Sequence, residues 1–237
     1  PALATAVVKP ERNTTYELGV KTNLFDRRLI FNADLFDTSV QDFQANVVDT
    51  GPGALRGYLA NIEEVRVKGA ELDSSFLLTD HFKAHVNAAY NDGEYVFYHN
   101  GPCPIEAIGT STTICDLSGK RMSALPRWVG TLGGEYDHPL SFGRISGEGY
   151  FHAEVASRSW TYGDPSDSQY TAIGGYTTVN ANLGFREISH WEFFIWARNL
   201  LNKDYLQNLT VQAGNSGLIV GTPNDPRSFG LTVRATF

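Results

Sequence analysis

Arg227-Ser-Phe-Gly-Leu-Thr-Val-Arg-Ala-Thr-Phe237 alternates almost without error. Phe229, Leu231, Val233, Ala235 and Phe237 fall on one side of an extended strand, and Ser228, Gly230, Thr232, Arg234 and Thr236 fall on the other. Side chains of a strand project to opposite faces with a period of two, so one face is apolar throughout and the other polar or small. Such a strand has either a protein core or lipid against its apolar face. An exposed aromatic at its end favours lipid, since water gains nothing from it.

The same pattern recurs upstream. Trp191 to about Asn202 is apolar on both faces, with Glu192 and Arg198 on one of them. Val179, Ala181, Leu183 and Phe185 oppose Thr178, Asn180, Asn182 and Arg186. Ile145, Phe151, Ala153 and Val155 oppose Ser146, Glu148, His152 and Glu154, and His138-Pro-Leu-Ser141 reads as the turn before them. Trp128, Leu132 and Tyr136 oppose Thr131 and Glu135. Further back, Phe82 to Tyr90 alternates with Lys83, His85 and Asn87. A strand over about 62–78 changes phase between Val65-Arg-Val-Lys68 and Ala70, which suggests a bulge near Gly69. Strands over about 14–24 and about 29–41 come first, joined by a tight turn at Phe25-Asp-Arg27.

Composition agrees with a β-rich chain and narrows its partners. The 237 residues are 42% hydrophobic and carry a net charge of −7, which gives nucleic-acid binding no electrostatic support. No run of about 18 apolar residues is present, so no membrane-spanning helix is expected; a barrel wall hides its apolar face in alternate positions.

The reading gives nine strands and eight connections. From the first hairpin onward, short connections of about 3–5 residues alternate with long ones of about 15–30, against a usual median of about 4–6. The long ones cover about 43–61 (with Thr50-Gly-Pro-Gly53), 96–125, 159–173 and 204–226. In an antiparallel meander alternate connections lie on one rim. All long loops therefore gather at one end and all tight turns at the other, the pattern of a transmembrane barrel with long external loops and short periplasmic turns. A propeller or sandwich does not sort its loops this way, and no constant repeat is present.

Several stretches resemble the TonB-dependent outer-membrane receptors. Lys9-Pro-Glu11 with Tyr16-Glu-Leu-Gly-Val-Lys21 resembles a strand opening of that family, and Leu29-Ile-Phe-Asn-Ala-Asp-Leu-Phe36 the strand after it. Val67-Lys-Gly-Ala-Glu-Leu-Asp73 is similar to its G-x-E-x-(D/E) strand. Val179-Asn-Ala-Asn-Leu-Gly-Phe185, Arg198-Asn-Leu-Leu-Asn-Lys-Asp-Tyr205 and Pro226-Arg-Ser-Phe-Gly-Leu231 resemble its last three strands, and the N-L-(L/F)-(N/D)-K-x-Y element is the most specific of the set.

The resemblance implies an all-β, antiparallel transmembrane barrel of about 22 strands around a plugged lumen. Residues 1–237 would supply its last nine strands, with the plug domain and TonB box upstream. It implies import of a scarce, bulky nutrient such as an iron-siderophore, cobalamin or a glycan, powered through TonB acting on the plug, with no cofactor. Expected partners are outer-membrane lipid and lipopolysaccharide, the TonB complex, the barrel-assembly machinery, which would read Phe237, and a small-molecule or iron-chelate substrate. A passive porin or adhesin barrel and an outer-membrane hydrolase are the competing classes.

Enzyme motifs do not support the hydrolase. The chain lacks a G-x-S-x-G elbow, and Gly119-Lys120 lacks the rest of a phosphate-binding loop. Gly143, Gly147 and Gly149 read as close backbone approach in a strand. His81 and His85 read as solvated lining rather than a metal pair, because the intervening residues are not helical. Charged polar-face residues, Glu17 and Lys21 through Arg234, read as a hydrated lumen wall. Tyr16, Trp128, Tyr136, Trp191 and Phe237 suit aromatic girdles. Within the loops, Arg121, Trp160, Tyr162 and Tyr170 are the expected ligand contacts, because cationic and amphipathic groups dominate binding hot spots.

Nine is an odd number. Closing nine meander strands on themselves would put the first and last side by side and parallel, and leaving the sheet open would expose unpaired backbone to lipid at several kcal/mol per group. Strands upstream of Pro1 are therefore expected, about 13 if the family count holds.

Cys103 and Cys115 lie in one long loop, twelve residues apart, in a chain expected to cross an oxidising compartment. Closing so short a loop removes roughly 3 kcal/mol of unfolded-chain entropy. A disulfide is expected, so the denatured, unreduced protein should show no reactive thiol; titration of two would refute the pairing.

Overall fold

The computed structural model describes residues 7–48, 57–107, 114–187, 190–212 and 217–236. Nine long strands form one sheet in sequence order: β1 Arg12–Leu24, β2 Leu29–Val48, β3 Gly57–Thr79, β4 Phe82–Phe97, β5 Trp128–Phe142, β6 Ile145–Arg158, β7 Tyr176–Glu187, β8 Trp191–Arg198 and β9 Ser228–Ala235. Each is antiparallel to the next. This is the meander that the alternation predicts.

Register keeps the two faces distinct across all nine strands. On the outer face Leu18 meets Leu35, which meets Ala70. Val86, Leu132, Val155 and Val179 form another row, and Phe151, Leu183, Ile195 and Leu231 a third. These side chains have no protein over them: Leu18 is 77% exposed and Leu231 68%. An apolar surface this continuous requires an apolar solvent. Toward the long-loop end the same face turns ionic, with Arg66 bidentate on Asp37 and Arg127 on Asp92. Tyr16 and Trp128 mark the outer face near that end, and Tyr136 and Trp191 near the other. On the inner face Asn32, Asp73, Asn87 and Thr131 line up, as do Glu135, His152, Asn182 and Trp196.

Short turns close one end. Phe25, Asp26 and Arg27 take positive φ in succession, and the Arg28 amide donates to the Phe25 carbonyl at 3.0 Å. Gly143, φ +65°, closes the β5–β6 hairpin. Residues 188 and 189 of the β7–β8 turn lie outside the described residues.

Four sequence expectations need correction. The connection placed at about 43–61 is mostly strand: Phe43–Val48 pair with Gly57–Ile62, so β2 and β3 reach well above the membrane band, and Thr50–Gly53 lie outside the described residues. Gly69 carries no bulge; the register shifts are at Glu64/Val65 and Leu77/Thr79. Val65 and Val67 keep the phase of the inner face, which is apolar here because Tyr98, Leu117 and Met122 pack near Val65. Val65, Tyr95, Tyr98, Leu117, Ala45, Val47 and Ile62 form this buried cluster. His138–Ser141 is not a turn, since β5 continues to Phe142. β4 begins at Phe82, opposite Tyr136, and the Asp137 amide still donates to the His81 carbonyl at 2.9 Å; Pro139 lies beyond that last bond, where no ladder partner is lost. β8 also stops earlier than read, at Arg198.

Three glycines inside the strands lie under rings from neighbouring strands. A Cβ on Gly69 would meet the Tyr90 carbonyl oxygen at 2.2 Å and the Phe36 ring at 2.4 Å. Gly230 lies equally close beneath Trp196, and Gly184 beneath Tyr150. Bulky inward rings are thus accommodated without breaking the ladder. Gly69→Val should destabilise the wall by about 1–3 kcal/mol through overpacking. A lower temperature for loss of the compact, fast-migrating form of the full receptor on a semi-native gel would register it. Gly174→Ala, where a Cβ meets nothing within 4 Å, should leave that temperature unchanged.

Candidate functional site: the inner wall and its loop cap

The long connections fold into ordered structure above the inner face. Gly101–Pro102 pair with Ile114–Cys115, and Cys103 is bonded to Cys115 with a Cα–Cα distance of 5.0 Å, as expected. Thr161–Tyr162 pair with Ala172–Ile173, and Leu206–Val211 with Ile219–Pro223. Tyr98 is fully buried beneath this cap and its hydroxyl donates to the Asn46 carbonyl. Burial pushes that hydroxyl's pKa well above the ordinary tyrosine range.

Arg121 joins two loops. Its guanidinium donates to the Leu125 carbonyl at 3.0 Å and the Trp160 carbonyl at 3.3 Å, and lies 4.6 Å from the Trp160 ring centre. Trp160 packs edge-on to Tyr162, and the Ala124 amide donates to the Tyr162 carbonyl at 2.8 Å. Glu106 accepts the Gln169 amide at 2.9 Å, a second tie between the same loops. Three of the four expected contact residues are thus gathered in one brace. Tyr170 is apart from it and 56% exposed.

The family-like segment 198–205 proves to be a clip. Asn199 and Asn202 take positive φ. Buried Asn199 donates its amide to the Asn180 side chain, accepts from the Lys203 amide at 2.8 Å, and donates its side-chain nitrogen to the Lys203 and Asp225 carbonyls. Asn202 accepts the Arg227 amide, so the clip also sets where β9 begins. Sequence reading placed these residues on a strand. Asparagine tolerates the left-handed conformation and replaces backbone partners with its own side chain, a signal that the motif carried.

The inner wall is ionic. Arg186 and Arg234 converge on Glu192, at 3.6 and 2.7 Å, and Arg186 also reaches Glu148. His85 stacks beside His152 with ring centres 6.0 Å apart, flanked by Glu154 at 3.6 Å and Glu135 at 3.9 Å. His81 instead faces Asp137 near the short turns. Among the described residues no cluster of three or more ligating side chains has metal-binding geometry. A cavity of about 440 Å³ opens on the inner face, and Thr178, Asn180, Arg198, Tyr205, Gln207 and the acidic Asp225 are among the residues that line it. Arg158, Tyr176 and Tyr205, stacked together, were not singled out from the sequence. Their positions are distant in the chain and only register and loop folding unite them.

A two-faced antiparallel wall with charges inside, lipid-suited side chains outside and ordered loops at one end is the architecture of an outer-membrane barrel. Residues 2–200 match the family described as TonB dependent receptor-like, beta-barrel, and the chain belongs to it. It is 25% identical over 233 residues to the metal-pseudopaline receptor CntO of Pseudomonas aeruginosa, covering 96% of this chain and 28% of that protein. It is 25% identical over 194 residues to the probable TonB-dependent siderophore receptor PiuA of Acinetobacter baumannii, covering 79% and 24%. The fold is similar to the ferric yersiniabactin uptake receptor FyuA of Yersinia pestis, with a TM-score of 0.72 at 17% identity, over 96% of this chain and 30% of that one. The chain therefore spans about a quarter of the length of these curated relatives.

Asp167 gives the cap a pH response. It is half-buried with positive φ, and its Oδ1 and the neighbouring Ser166 hydroxyl are buried without a hydrogen-bond partner. Burial pushes its carboxyl up to about 6, against the pull of Lys120 and Arg121, with Asp164 adding to the rise. In the unfolded chain an aspartate ionises near about 3.9. Between about 4 and 6 the folded loop holds more protons than the unfolded one, so its stability falls as pH rises through that window. Asp167→Asn should therefore raise amide protection factors across 164–171 at pH 7.5 and leave them near the wild-type values at pH 4. Unchanged protection at pH 7.5 would contradict this.

Proposed function

We propose that this chain is the C-terminal wall segment of an outer-membrane active-transport receptor for a scarce, bulky nutrient of the iron-siderophore, cobalamin or glycan class. The carrying observation is the pairing of family membership with a wall whose inner face is ionic and whose outer face is apolar through its middle band. The relatives' names, a siderophore receptor and a metal-pseudopaline receptor, favour a metal chelate over the other two classes. A family of receptors is a transport class, so no catalytic role is assigned.

In this reading the wall is completed by upstream strands to about 22, around a plug that TonB engages. The tight turns face the periplasm, the loop cap faces outward, and Phe237, outside the described residues, serves the assembly machinery. Exposed Trp160, braced by Arg121 and Tyr162, and exposed Tyr170 offer the loop contacts for ligand.

Uptake of radiolabelled ferric chelates by cells carrying the complete receptor tests this. Accumulation should require TonB and should cease when the plug's TonB box is deleted. Accumulation that persists at the same rate without TonB would favour a passive porin.

A further inference from the structure

The 159–173 connection turns sharply over Asp164-Pro-Ser-Asp-Ser168, and most oxygens of that turn have donors. Asp164 Oδ1 accepts the Ser166 amide at 2.9 Å, and the Asp164 carbonyl accepts the Asp167 amide at 3.3 Å. Ser168 Oγ accepts the Tyr170 amide at 3.3 Å, and its carbonyl accepts the Thr171 amide and hydroxyl. Two oxygens stand outside this network. Ser166 is only 5% exposed and its Oγ meets no protein partner, and the adjacent Asp167 Oδ1 is buried and equally alone. Four buried side-chain polar atoms lack a partner among the described residues, and only these two are neighbours in the chain. Neither Asp164 nor Asp167 forms an ion pair among the described residues; Lys120 and Arg121 act on Asp167 only from farther away.

A buried carboxylate oxygen without donor or cation is costly. A hydroxyl can turn to give or to take, but an ionised carboxylate only accepts. Whatever satisfies this turn must therefore bring positive charge or a proton to it. The groups on offer are all oxygens: two carboxylates three residues apart, a hydroxyl between them and the carbonyls of a tight turn. A hard oxygen set of this kind suits calcium, whereas zinc and copper prefer imidazole and thiolate. Two carboxylates fall one short of a cluster of three, so hydroxyl and carbonyl oxygens complete the set, as calcium permits. Both carboxylates act on Tyr95, at the buried end of β4, so the turn is seated against the cap rather than out in solvent.

We propose that the 164–168 turn is a calcium site, in which Asp164, Ser166 and Asp167 present their side-chain oxygens to one ion that fastens the 159–173 loop into the cap. The ion supplies the partner that Ser166 Oγ and Asp167 Oδ1 lack and balances the two carboxylates. Lys120 and Arg121 oppose it, which places the affinity in the weak range of extracellular calcium modules, about 10⁻⁴–10⁻³ M. The site does not rest on the import reading, and none of its oxygens belongs to Arg121, Trp160, Tyr162 or Tyr170.

The complete receptor, refolded in detergent free of lipopolysaccharide and stripped with EDTA, tests this with calcium itself as the probe and hydrogen exchange at pH 7.5 as the readout. Calcium at about 10 mM should raise the protection factors of amides 164–171 about tenfold over EDTA, the gain expected when the ion stands at about ten times its dissociation constant. Magnesium at the same concentration should give less, because it dehydrates reluctantly and demands octahedral geometry. Asp164→Asn and Asp167→Asn should each abolish the calcium gain, since an amide keeps the turn's acceptor oxygen and loses the charge. In EDTA Asp167→Asn should still be better protected than wild type, for the reason given above, which separates a lost ion from a lost fold. Lys120→Gln, at an exposed position, should move the half-maximal response to lower calcium. No calcium gain in the wild type would mean that water alone satisfies the two oxygens, and an undiminished gain in both Asn variants would put the ion elsewhere. Either result overturns the proposal, and an equal gain from magnesium overturns the assignment to calcium.

Discussion

Every strand of this wall must satisfy its backbone without help from solvent. In hydrocarbon an unpaired amide or carbonyl costs several kcal/mol, so the sheet is a continuous ladder in which each strand depends on the next. The ladder locks register, and register locks the two faces, because a slip of one residue would turn every leucine inward and every glutamate into lipid. The unbroken rows from Leu18 to Ala70 and from Phe151 to Leu231 follow from that constraint. So do the glycines at 69, 184 and 230, each giving an inward ring room without displacing the backbone.

Above the membrane band water returns and the rules change. Here β2 and β3 extend past the lipid, and their inner face turns from ionic to apolar. Val65 and Tyr95 gain a core from Tyr98, Leu117 and Met122. The disulfide, the Arg121 brace and the Glu106–Gln169 tie convert long connections into a rigid cap joined to the wall. Ordered loops of this kind can hold a ligand surface in place, since little entropy is left to lose on binding.

Charge placement on the inner wall separates structural from available groups. Glu192 is shared by Arg186 and Arg234, and this trio knits β7, β8 and β9 together where water still reaches. Among the described residues, Arg158 and Arg198 meet rings and no carboxylate. The distinction is invisible in a list of polar-face residues, where all four look alike.

Period-two alternation and the sorting of connections into short and long are local properties, and they determined the nine-strand meander, its lipid face, its girdle aromatics and its ionic interior. The sequence by itself also paired Cys103 with Cys115, because only two cysteines share one loop. What it misread lies where a distant segment changes the environment of a strand. Val65 and Val67 look like a phase slip because nothing local announces that Tyr98 and Leu117 will bury Val65. His138–Ser141 looked like a turn because the start of β4, beyond which Pro139 has no ladder partner to lose, is set by another hairpin. Arg121, Trp160 and Tyr162 were legible as special residues, but only the tertiary structure decided that they brace two loops against each other. The Arg158–Tyr176–Tyr205 stack was not legible at all: its members come from β6, β7 and the loop beyond β8, and cross-strand register together with the Asn199 clip brings their side chains within reach.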